Sequence, residues 1–183
     1  MRVTNSISDY PEDKSPTFQY PEQSDSKKRF LLGRLGGKPL FVICMNPSAA
    51  SIDKTDKIVS RVINESVRLG YDGWCVANVY PLRGTVSLEV SKQPFDKAFA
   101  EENCDVVASF LQKHKIKEVW GAWGDSKKGD PLDLGKQMLL KKLKAQNVRI
   151  FYFGKLNKSA NPHHLRGLSR FTVNEVNKHF LSY

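Results

Sequence analysis

Leu40-Phe41-Val42-Ile43-Cys44-Met45-Asn46-Pro47-Ser48, residues 40–48, decides the fold. Its unbroken apolar run is too short for a typical helix and rich in β-branched and aromatic side chains. It therefore reads as a strand buried on both faces, the pattern of a central strand in a parallel sheet. The Asn-Pro pair ends it. Downstream, Ile58, Val59, Val62, Ile63 and Val67 recur at helical spacing up to Gly70, which predicts an amphipathic helix with a glycine stop. Upstream, the alternation begins at Arg29-Phe30-Leu31-Leu32 and breaks at Gly36-Gly37-Lys38-Pro39, which predicts a hairpin feeding the central strand.

The strand–helix unit recurs. The pattern predicts strands over 73–79, 117–123 and 148–153 and helices over 95–113, 132–145 and 172–181. Such alternation with short links implies right-handed parallel crossovers. The expected fold is an α/β three-layer sandwich with a central, mainly parallel sheet, formed by a single domain over residues 29–183. Residues 1–28 are rich in Ser, Pro, Asp, Glu and Gln and show no period, which predicts a flexible or loosely docked N-terminal arm.

Four strand ends are followed by unusual polar residues: Asn46-Pro47-Ser48, Asn78-Val79-Tyr80-Pro81-Leu82-Arg83, Trp123-Gly124-Asp125 and Asn161-Pro162-His163-His164-Leu165. In an open parallel sheet the carboxyl ends of the strands share one edge, where ligands bind. The four runs therefore define one candidate crevice.

Composition narrows the function classes. The chain of 183 residues carries a net charge of +10, and residues 29–183 alone hold +11, so the domain is the basic part. A polyanion, nucleic acid or nucleotide, is the natural partner of such a surface, and a merely solvated basic surface is the alternative. No apolar run approaches the ~20 residues of a membrane helix. A cytoplasmic protein with no membrane partner is expected. Cys44, Cys75 and Cys104 lie far apart in apolar patterns and read as buried thiols. No cofactor is expected, because no Gly-rich phosphate loop occurs: Gly37-Lys38 is followed by Pro39. Nor is a metal, because His163 and His164 have no third ligand at recognisable spacing.

Met45-Asn46-Pro47-Ser48-Ala49-Ala50, Asp53-x-Thr55, Asn78-Val79-Tyr80-Pro81-Leu82-Arg83, Ala122-Trp123-Gly124 and Pro162-x-His164 occur in the order seen in the domain-of-unknown-function 1643 family, which the chain resembles from about Arg29 to Ser169. Leu165 departs from that family's usual Pro-x-His-Pro. A more remote resemblance is to the uracil-DNA glycosylase superfamily. There, one motif follows the first core strand and another follows the last, and both meet over a flipped base. Met45-Asn46-Pro47 and Asn161-Pro162-His163-His164-Leu165 are similar to those two motifs, and Asn78 and Arg83 to residues that follow the second strand. The likeness implies a glycosylase-like fold and an N-glycosylase acting on a modified or mismatched base. The alternative is a catalytically silent module that binds a nucleotide or single strand.

Chemistry assigns provisional roles. Breaking an N-glycosidic bond places negative charge on the departing base, so the site needs a donor near the base and a held water near the sugar. Asn46 offers both a donor and an acceptor but is no strong base, and Asp53 or Asp56 is the available carboxylate help; turn formation explains Asn46-Pro47 equally. His164 is the expected donor to the leaving base, with His163 able to exchange with it. Ser48, Ser51 and Thr55 sit where the first long helix starts and either bind phosphate or cap the helix. Arg83 beside Tyr80 is a candidate phosphate clamp next to a stacking face. Trp123 either stacks or fills the core, and Gly124 permits close approach of backbone to ligand. Asn78 and Asn161 complete the expected substrate contacts. Lys155, Lys158, Arg166 and Arg170 surround the histidine loop as an expected nucleic-acid-binding rim.

Overall fold

The computed structural model describes residues 6–182. Its seven strands form one mixed sheet in the order β1-β2-β4-β3-β5-β6-β7. The strands are β1 (Phe18–Tyr20), β2 (Leu31–Arg34), β3 (Pro39–Cys44), β4 (Gly73–Asn78), β5 (Glu118–Gly121), β6 (Arg149–Phe153) and β7 (Lys178–Phe180). The helices are α1 (Lys57–Arg68), the short α2 (Ser87–Ser91), α3 (Lys97–Lys113) and α4 (Pro131–Ala145). The four central strands β4-β3-β5-β6 are parallel, and β1, β2 and β7 add antiparallel edges.

The period-2 alternation of β3 divides the core. Leu40, Val42 and Cys44 face α1 together with Trp74, Val76, Trp120, Phe151 and Phe153. Phe41, Ile43 and Met45 face α3 and α4, where Val107, Leu111, Leu139 and Leu143 cover them. Helices thus lie on both faces of the sheet, as the unbroken apolar strand requires. α1 starts where Asp56 caps it, accepting from the amides of Ile58 and Val59, and stops at Gly70, whose φ of +77° is cheap only without a Cβ.

Two expected elements are corrected. Leu31–Arg34 makes no hairpin with β3; it pairs antiparallel with β4, which lies between them. The carboxylate of Asp72, just before β4, accepts from the amides of Gly37 (2.8 Å) and Lys38 (2.7 Å) and seats β4 inside the turn. A Cβ on Gly36 would sit 2.3 Å from Asp72 Oδ1, so the turn is closed to other residues. The helix expected over 172–181 is instead a single 3-10 turn, Glu175–Asn177, followed by β7 against β6. Asn174 caps the start of that turn, accepting from Asn177 N (3.0 Å), and the chain then leaves it to pair with the open edge of β6.

The described part of the N-terminal segment is docked on the domain. Tyr10 stacks on Trp74 at 6.0 Å and donates to Ser51 O (2.6 Å), and Trp74 Nε1 donates to Lys14 O (3.1 Å). Ser8 and Thr55 bridge through their backbones, and β1 extends the sheet. One aromatic anchor in the polar segment, Tyr10, meets Trp74 of β4 and supplies docking that the segment's composition conceals.

Candidate functional site

After β3 the chain crosses over α1 to β4 on one side, and β5 lies on the other side of β3. The carboxyl ends of the parallel strands β3 and β4 lie side by side at one edge, where ligands bind in such sheets. A narrow cavity of about 50 Å³ occupies the side covered by α1, walled by Arg29, Asn46, Ser48, Asp56, Asn78 and His164. Ser48, Gly84 and Thr85 line it and also an adjoining open recess of about 400 Å³, which Arg83 and Asp25 flank.

Asn78 ends β4 on the face of Val76 and Trp74. It is 1% exposed, and its Oδ1 has no partner. Arg29 is 3% exposed; its Nη1 donates to Ala50 O (2.7 Å), whereas its Nε is unpartnered. Burial, reinforced by Arg83, lowers the Arg29 pKa to about 10, so the guanidinium stays charged at neutral pH. Its counter-charge is Asp56, whose Oδ1 accepts from Ile58 N and Val59 N (both 2.9 Å) and whose Oδ2 accepts from Ala50 N (3.2 Å). Burying a polar atom without a partner costs about 1–3 kcal/mol. An acceptor and a cationic donor, each buried without a partner, thus belong to residues that line one cavity.

Asn46 donates from Nδ2 to Gly84 O (2.8 Å) and Pro47 O (3.3 Å), which leaves Oδ1 to act in the cavity. His164 Nδ1 accepts from Arg166 N (3.2 Å), so in the neutral ring the proton sits on Nε2. Burial, with a smaller push from Arg166, holds the His164 pKa down at about 4. The ring is thus a neutral donor across the physiological range. Gly124 makes its place: at φ +77° it presses on the histidine loop, its amide donates to Pro162 O (3.0 Å), and a Cβ there would lie 2.8 Å from His164 Cβ.

The other expected residues divide by location. Arg83 lies at the outer recess, but its Nε donates to Asp25 O (2.8 Å) and its Nη1 to Ser48 O (2.8 Å) and Ala50 O (3.0 Å), so it also ties down the loop after β3. Tyr80 turns to the α3 face, where it packs on Phe95 and Phe99 and its hydroxyl accepts from Asp96 N. Trp123 is core on the same face, 1% exposed, and donates from Nε1 to Asn161 Oδ1 (3.2 Å). Asn161 also takes Lys136 Nζ (3.1 Å) and gives to Asp125 Oδ1 (2.9 Å), which fastens the last loop rather than facing the cavity. Thr55 is buried, bonded to Asp56 O and Ser60 Oγ. Asp53 is exposed and lies outside the cavity wall, so Asp56 is the carboxylate at the site. His163 is half-buried outside the cavity lining, and Lys155 and Lys158 are exposed on the loop after β6. Arg166 reaches the cavity, and Arg170 lines a separate recess against α1. Sequence reasoning passed over Arg29, although a charged residue opening the otherwise apolar run Phe30-Leu31-Leu32 was a visible signal.

An α/β domain with a mixed sheet and a polar cavity at the carboxyl ends of β3 and β4 defines the class. The profile of the family described as protein of unknown function DUF1643 matches residues 29–164, most of the chain, and the chain belongs to that family. No significant match was found among curated proteins or among solved structures. Among the described residues, no helix is long and apolar enough to cross a membrane.

Proposed function

We propose that the cleft receives a single nucleobase and that the protein is a nucleic-acid-directed N-glycosylase of uracil-DNA glycosylase type, acting on a modified or mismatched base. One observation carries the reading: Asn46 after the first central strand and His164 after the last parallel strand, distant in sequence, wall the same cavity as the unpartnered Asn78 Oδ1 and Arg29 Nε. A cavity of about 50 Å³ takes only the leading polar edge of a base, and the recess of about 400 Å³ accommodates the remainder.

In the reaction the bond between the anomeric carbon and the base nitrogen breaks, with the electron pair leaving on the base. His164 Nε2–H donates to the base oxygen that gains charge, and the nearby positive charge of Arg29 favours the same anion. Asn46 Oδ1 holds a water whose oxygen bonds to the anomeric carbon; its proton passes to solvent, and the base anion is protonated by solvent. Both Asp56 oxygens are engaged by backbone N–H groups, three in all, so neither is free to orient a water, and water attack proceeds without carboxylate assistance. Turnover on this scheme is slow. The same saturation of Asp56 favours the second reading, a silent nucleotide or single-strand binding module.

The test is base release from oligonucleotides carrying uracil, hypoxanthine, hydroxymethylated or mismatched bases. The glycosylase reading expects release of at least one base and a loss of about 100-fold or more in Asn46→Ala or His164→Ala. Binding without release supports the silent module. Neither binding nor release by folded protein overturns both.

A further inference from the structure

We infer that the outer face of α1 carries a second nucleic-acid contact, a cationic groove that holds the phosphodiester backbone of a single strand whose base enters the cleft. It rests on the reading of the cleft as a nucleobase site. The groove is a recess of about 830 Å³ between the docked N-terminal segment, α1 and the loop before β7. Lys14, Lys57, Arg61, Arg68 and Arg170 line it, and Glu65 is the only carboxylate among its lining residues. Arg61 and Arg68 are structural: Arg61 donates to Leu165 O (2.5 Å) and Leu168 O (2.6 Å), and Arg68 binds Glu65 and the carbonyl of Val173. Glu65 pairs with both guanidinium groups, Arg68 at 2.5 Å and Arg61 at 3.9 Å, and offsets one of their two charges, while the carbonyl acceptors fix them without adding negative charge. Among the described residues, Lys14, Lys57 and Arg170 have no carboxylate within ion-pair distance.

Lys57 sits at the first turn of α1, where a cation opposes the helix dipole and is unfavourable for the fold. A positive charge at that position instead suits a partner. Phe171, next to Arg170, is 88% exposed and offers a ring on which a base can stack. Basic lining plus an exposed aromatic ring is the composition of sequence-tolerant single-strand sites. The groove is also joined to the cleft through shared elements. The first turn of α1 contributes Lys57 and Ser60 to the groove and Ile58 and Val59 to the cavity, and the last loop contributes Leu168 and Arg170 to the groove and His164 and Arg166 to the cavity. A strand lying in the groove therefore passes the cleft within a few residues of His164.

The experiment measures binding of a labelled 15-nucleotide mixed-sequence single-stranded DNA, and of the RNA of the same sequence, from 50 to 300 mM salt. The triple variant Lys14→Ala, Lys57→Ala, Arg170→Ala is compared with the full-length wild type, and Phe171→Ala is measured separately. Three lost phosphate contacts reduce the salt slope by about 2 and weaken binding roughly 100-fold at 0.1 M salt. Phe171→Ala weakens binding with the slope unchanged. Mononucleotide binding at the cleft stays as in wild type in both variants. A triple variant that keeps its circular dichroism and melting temperature yet binds the oligonucleotides with wild-type affinity and slope overturns the groove while leaving the cleft reading intact. Wild-type protein that binds mononucleotides but neither oligonucleotide does the same. Binding of neither mononucleotide nor oligonucleotide sinks both.

Discussion

Acidification should destabilise this protein through His164 in a way that a single isosteric substitution removes. The ring is held neutral by burial, with its pKa lowered from an ordinary 6.5 to about 4. Between those values the unfolded chain binds a proton that the folded chain refuses, so stability is full above pH 6.5 and falls as pH drops toward 4. The shift sets a ceiling of about 3 kcal/mol, and partial exposure of the ring brings the expected loss to roughly 2 kcal/mol. For a chain of this length that is a fall of about 4–8 °C in melting temperature. His164→Asn keeps an acceptor where Nδ1 now takes Arg166 N and carries no titratable group. Scanning calorimetry of both proteins at steps from pH 7 to pH 4 isolates the contribution, since carboxylates titrate alike in the two. Parallel pH curves for wild type and variant, or an imidazole pKa near 6.5 by NMR, would refute the burial argument and with it the neutral-donor role.

Further outcomes follow from the same contacts. Asp56→Ala strips three backbone amides of their acceptor and removes a nearby negative charge that offsets buried Arg29; a loss of about 2–4 kcal/mol is expected in urea unfolding, and one below about 1 kcal/mol contradicts the capping role. Gly124→Ala places a methyl 2.8 Å from His164 Cβ at a positive φ; about 1–2 kcal/mol is lost from backbone strain, and the His164 ring resonances shift, whereas an unmoved ring means that Gly124 does not position it. Tyr10→Ala removes the stack on Trp74 and the bond to Ser51 O; trypsin then cuts after Lys14 well before it cuts wild type, while Tyr10→Phe costs only about 1 kcal/mol. Equal protection of Tyr10→Ala and wild type shows that the ring is not the anchor.

The parallel core was legible because its strands are buried on both faces and each is followed by a helical period. Leu40–Cys44 and Ile58–Gly70 carry that message within a single stretch. Edge strands were not legible. Phe18–Tyr20 and Lys178–Phe180 are three residues each and half-exposed, so no alternation has room to appear, and their pairing depends on what the open edges of β2 and β6 accept. The hairpin reading failed for a related reason: a Gly-Gly break signals a turn, but only the Asp72 carboxylate from a distant segment decides which strand fits beside it. At the candidate site, the strand ends marked one edge of the sheet, yet alternation sends neighbours to opposite faces. Asn78 faces the α1 side while Tyr80 and Trp123 turn to the α3 side. A loop after the strand blurs that parity, and it cannot be counted through from the sequence.

The most direct test of a base-reading cleft is an NMR titration of labelled protein with mononucleotides carrying each natural and modified base. The side-chain amides of Asn46 and Asn78 and the ring of His164 should move together along one saturation curve for at least one base. Resonances of these three that stay fixed, while the nucleotide binds elsewhere or not at all, would contradict the assignment of the cleft.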